Sequence, residues 1–141
     1  MLKMLFLLQG AVHPTPPPVL PLPPQQQSVV PADWSGLAPM PYVKPPEVAK
    51  SLSNFVAAEI AAGRCPIVRP ADGHYVVKVD IATLVGTDGT VRRTVPRAIQ
   101  CPTVEQYSAG LILSFARANL RHGTAAGDQW YRATIVFDWQ G

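Results

Sequence analysis

The chain has 141 residues, 48% of them hydrophobic and 15% charged, which is enough for one small core. Its formal net charge of +3 is spread along the sequence instead of gathering in a basic tract, so nucleic acid is not implied as a partner. The longest early apolar run, Met4 to Leu8, is far short of the roughly 20 residues of a spanning helix, and no other run reaches that length, so no membrane-spanning helix is expected.

Residues 1–12, "MLKMLFLLQGAV", set one lysine before that run and the small residues Gly10 and Ala11 after it. This reads either as a short signal peptide for export or simply as an apolar N-terminus. Residues 13–45 form a Pro-rich linker: twelve of the sixteen prolines fall in the first 46 residues, and "HPTPPPVLPLPPQQQ" has neither helical nor strand period. Proline fixes φ and lacks the N–H that a ladder needs, so the linker samples polyproline II and reaches at most roughly 100 Å. Near its end, "ADWSGLAPMPY" offers Trp34 and Tyr42 as side chains that could dock it on a domain.

The domain is expected over 46–141. Val48, Leu52, Phe55, Val56 and Ile60 recur at spacings of three and four, predicting a helix over about 46–62 that Gly63 caps and Pro66 stops. Tyr75, Val77, Val79, Ile81 and Val85 alternate and predict a half-buried strand. A two-residue loop at Asp88-Gly89 would set Val85 against Arg92 and mix the faces. A three-residue loop, Thr87-Asp88-Gly89, sets Val85 against Val91 and Ile81 against Val95, with Gly89 supplying φ > 0. Arg92, Arg93 and Arg97 read as edge protection or as a basic patch. Val104, Tyr107, Leu111, Phe115 and Ala118 predict a second helix over about 104–121, opened by a Thr103/Gln106 capping box and closed by Arg117, Arg121 and His122. Tyr131, Ala133, Ile135, Phe137 and Trp139 then alternate on a last strand.

The order α-β-β-α-β predicts an α+β fold: a three-stranded antiparallel sheet with two helices on one face. A strand order of 2-1-3 gives the last connection a right-handed crossover and leaves the last strand an open edge. Cys65 follows the first helix and Cys101 precedes the second, 36 positions apart. A disulfide there would restrict the unfolded chain by roughly 3.5 to 4 kcal/mol; a reduced buried pair and a metal or redox site are the other readings.

The pieces "YVVKVDI", "TDGTV", "CPTVEQYSAGLILSFARANL" and "WYRATIVFDW", behind a Pro-rich spacer, resemble the C-terminal domain of TonB proteins over about residues 65 to 139. The resemblance implies a periplasmic binding module of the Gram-negative cell envelope that serves transport by pairing an edge strand with a segment of an outer-membrane receptor. By position, that edge is Gln129, Trp130, Tyr131, Arg132, Ala133, Thr134 and Ile135. Three features depart from the family: residues 1–12 are too short for the membrane helix of an energy transducer, "AIQC" stands where "SSG" is usual, and the proline usual after the second helix is replaced near Leu120-Arg121. The alternative function is a structural envelope protein that holds cell wall or a second copy, as a homodimer, through the same edge.

No catalytic, metal or cofactor residues are expected. His13, His74 and His122 share no close motif, Asp80 has no evident acid/base partner, and the sequence has no nucleophile elbow, zinc-helix motif or phosphate loop.

Overall fold

The computed structural model describes residues 10–17, 29–123 and 127–141. Met4 to Leu8, most of the polyproline run and the middle of the turn before the last strand lie outside these. In chain order the elements are strand β1 (Ala38–Pro39), a 3-10 turn (Lys50–Leu52), helix α1 (Ser53–Ala61), strands β2 (His74–Val85) and β3 (Val91–Pro96), helix α2 (Pro102–Ala116) and strand β4 (Gln129–Gln140).

The fold is α+β with two helices, but the sheet is mixed and four-stranded, in the order β1-β4-β2-β3. The expectation of three antiparallel strands omitted β1, which pairs in parallel with β4, Ala38 opposite Tyr131 and Pro39 opposite Arg132. The pairing escaped sequence reading because two residues between prolines carry no strand period. The central β2 pairs antiparallel with β4 along its whole length, setting Val77 against Phe137, Val79 against Ile135 and Ile81 against Ala133.

These odd-numbered residues form the helix-facing side of the sheet. They pack against Val56 of α1 and Val104, Ile112 and Ala116 of α2. Phe137, Ile81, Ile135 and Ile112 are fully buried, at about 1.5–3 kcal/mol each. The buried stripe of α2 is Val104, Ser108, Ile112 and Ala116, whereas Tyr107, Leu111 and Phe115 flank it. Small Ser108 fits under the helix because its hydroxyl donates to the Val104 carbonyl (2.7 Å). Phe55 is 39% exposed, but its ring lies 4.5 Å from that of Tyr107, whose own ring lies 5.9 Å from Phe137. This row of rings connects α1, α2 and β4.

Both helices are shorter than their apolar periods suggest. Pro45-Pro46 lies outside any helix, and the first helical turn begins at Lys50. Helix α2 stops at Ala116 because Arg117 is extended and Ala118 takes φ +51°. His122 is thus well past the helix end and is not a cation on its dipole. The Thr103/Gln106 capping box is also absent. Glu105 accepts hydrogen bonds from the Ile99 and Cys101 N–H groups instead (3.1 and 3.0 Å), and the Thr103 hydroxyl is used elsewhere.

In the hairpin, Gly86 and Thr90 bracket the expected three-residue loop, and Val85 faces Val91. The pairing of Ile81 with Val95 does not occur. A register shift between Leu84 and Val85 places Leu84 opposite Arg93, and Val95 opposite Ala82. The extra residue, Arg92, turns Val95 to the sheet face away from the helices. There it joins a second cluster made by Trp34, Ala82, Leu84 and Trp130.

That second cluster and Met40, which is buried in the helix-side core, carry the packed structure back beyond residue 46 into the Pro-rich segment. At the opposite end of the helices, Cys65 and Cys101 form a disulfide, with Cα atoms 4.9 Å apart. Among the described residues no helix is long and apolar enough to cross a membrane.

Candidate binding edge

Strand β4 is held by β2 on one side only. On its outer side, the Met40 N–H donates to the Arg132 carbonyl (3.1 Å) just after the two-residue β1 pairing. Within a strand, the N–H and C=O of one residue point to the same edge and alternate along the chain. An outward Arg132 therefore turns the backbone groups of Thr134, Val136, Asp138 and Gln140 outward as well. Among the described residues no further strand pairs with them.

The seven residues expected to meet a partner divide sharply. Ala133 and Ile135 point into the helix-side core, and Tyr131 packs against it, its hydroxyl donating to Gln129 Oε1 (3.2 Å). Trp130 is buried on the other face, and its indole Nε1 has no hydrogen-bond partner among the described residues. Arg132 is half-buried where β1 crosses, so the exposed residues among the seven are Gln129 and Thr134. The Thr134 hydroxyl donates to Asp80 Oδ1 (2.7 Å), which gives Asp80 a cross-strand structural partner. The edge at Tyr131 and Arg132 is thus occupied by the chain itself, and the continuous open stretch lies further on, toward Gln140.

The occupying arm is built from local turns. Asp33 accepts from the Ser35 N–H and hydroxyl (2.9 and 2.6 Å), and these bonds hold its carboxyl below the usual value. The Leu37 N–H returns to the Trp34 carbonyl (3.1 Å), closing a turn that delivers Ala38 to the sheet. Trp34 donates its Nε1–H to the Pro31 carbonyl (2.9 Å) and is 9% exposed, with the Arg97 guanidinium 4.4 Å from its ring centre. Arg97 thus serves the arm instead of a basic patch, and Arg92 pairs with Asp88 (3.3 Å). Beyond the arm, Asn119 clamps the chain: its carbonyl accepts from Val43 N–H (2.8 Å), and its side-chain amide exchanges bonds with Lys44 N–H and C=O (2.9 and 2.8 Å). Sequence reading found Trp34 and Tyr42 as docking residues, but nothing in the sequence signalled Asn119.

At the far end of the same strand, His74 Nε2 meets Asp138 Oδ1 across the β2–β4 pair, in a surface hollow shared with Lys50, Asn54, Trp139 and Gln140. Both side chains are about half exposed to solvent, and among the described residues no serine, threonine or cysteine bonds to the pair. Among the same residues, no group of three or more His, Cys, Asp or Glu is placed to hold a metal ion. Geometry thus defines a small disulfide-bonded α+β domain with one partly covered sheet edge. Comparison with models of protein families, with curated proteins and with solved structures finds no match.

Proposed function

We propose that this chain is a TonB-like binding module of the Gram-negative periplasm, engaging an extended segment of an outer-membrane receptor or transporter by adding it to the outer edge of β4. The observation that carries this reading is the outward row Thr134, Val136, Asp138 and Gln140, whose N–H and C=O groups β2 leaves unpaired on a strand long enough to template another. The disulfide suits an oxidising, extracytoplasmic compartment. Pairing by β1 is an intramolecular precedent for strand addition at the same edge.

A second reading is an envelope structural protein that pairs with its own copy. Val76 and Val136, 56% and 42% exposed on one sheet face, favour it by making the open end of the edge partly apolar.

Val136→Pro separates edge binding from stability. Proline there removes an outward N–H and no bond to β2, so its denaturant midpoint should stay close to native while partner binding is lost. Immobilised native protein should retain TonB-dependent receptors from an outer-membrane extract, and the variant should not. Retention of receptors by both proteins would remove the edge from the mechanism. Retention of only wall material or the chain itself would favour the structural reading.

A further inference from the structure

We propose that Trp34–Met40 is a resident ligand of the β4 edge, latched by the Trp34 indole and displaced by an extended segment that brings both an aromatic anchor and a hydrogen-bond acceptor for Trp130 Nε1. This rests on the edge-binding reading above and adds what covers the first part of that edge and what a ligand reaching over it must carry.

The arm lies across Tyr131 and Arg132, where it closes the N-terminal part of the β4 edge next to the open row that begins at Thr134. Its hold on the ladder is small. Only two residues pair, Met40 adds one N–H, and Pro39 and Pro41 have no N–H to donate. The rest of the grip comes from side chains: Trp34 sits on Ala82, Leu84 and Trp130 with Arg97 over its ring, and Met40, at the clamped end, is buried in the helix-side core. Continuing the parallel register back one residue sets Leu37 level with Trp130, and Leu37 packs on the same cluster. A leucine side chain cannot accept a hydrogen bond. The arm therefore fills the shape of the site and leaves a buried donor unpaired, which disfavours this occupant against one with an acceptor at that position.

The Asn119 clamp at Val43 and Lys44 fixes the base of the arm, so release at the Trp34 end leaves it tethered beside the edge. A tethered competitor has a high effective concentration, and a partner must outbid it by making the bond that the arm lacks.

The test uses the full chain, native and Trp34→Ala, and two fluorescent peptides covering Val29 to Val43, one native and one with Leu37→Gln. Trp34→Ala is expected to bind the native peptide at least roughly tenfold more tightly than the native protein does. The Leu37→Gln peptide should bind more tightly still and shift the Trp130 indole N–H resonance. In the native chain, the Met40 amide should exchange with solvent about a hundredfold or more faster than the Val79 amide, because the arm opens without the sheet. A Met40 amide as slow as Val79 overturns the proposal, even if Trp34→Ala fails to fold. So does a folded Trp34→Ala that binds the native peptide no better than the native protein, or a Leu37→Gln peptide that binds no better than the native one. If the peptide and exchange results hold while no receptor is retained from outer-membrane extract, the resident arm stands and the receptor reading alone fails.

Discussion

Glu59 is buried at the end of α1, yet its carboxylate is fully engaged: Arg64 donates to it twice (2.7 and 3.0 Å) and the Thr103 hydroxyl once (2.7 Å). These bonds, the Arg64 pair first and Thr103 second, hold its pKa below the ordinary carboxylate value. A depressed folded pKa means that the stabilisation is fully present above the unfolded value and is lost as pH falls through the folded one. Urea midpoints taken from about pH 7 down to about pH 3 should thus fall more steeply for the native chain than for Glu59→Gln. Some acid loss will persist in the variant, because Asp33 and Asp88 are lowered as well, each mainly by its bonds to a neighbouring hydroxyl, Ser35 or Thr90. The sequence gives no hint of this site. Glu59 lies between apolar positions on an apparently ordinary helix, and only the packing of α1 against the start of α2 makes it an internal anchor.

Among the elements, the hairpin shows how far a pattern of faces reaches. Gly89 takes φ +78° and bonds its N–H to the Gly86 carbonyl (3.0 Å), as the three-residue loop requires. An added Cβ would meet the Leu120 carbonyl at 3.5 Å, an ordinary contact, so the penalty for a side chain comes from the left-handed backbone. Gly89→Val should cost about 1–2 kcal/mol, read as a lower melting temperature and denaturant midpoint. Loop and pivot were legible because one register kept Val85 opposite Val91. The bulge one step further on was not, because Val95 finds its apolar surroundings under Trp34, a side chain from a distant, Pro-rich segment. Strands β2 and β4 were read nearly to the residue since their alternation is long. The start of α1 and the end of α2 are not legible, since the apolar period includes residues before the first helix begins and after the backbone has left the second.

For the whole molecule, the bridge from Cys65 to Cys101 ties the exit of α1 to the start of α2, beside the Glu59–Thr103 bond. Replacing both cysteines by serine should lower stability by roughly 4 kcal/mol on the loop-entropy model, a large share of what so small a domain has. Chemical denaturation of the double variant measures this, and thiol-reactive reagent should leave the unreduced native chain unmodified. By itself, the sequence determined the α+β class, the central antiparallel pair, the glycine pivot and the two cysteines beside their helix ends, because each is written in local period, turn chemistry or position. Tertiary structure alone decided that a stretch of the supposed spacer is a fourth strand, that Trp130 is buried beneath it, and that the open part of the edge lies toward Gln140. Those outcomes depend on contacts between segments some 90 residues apart, such as Ala38 with Tyr131, and the segment around Ala38 carries no period of its own.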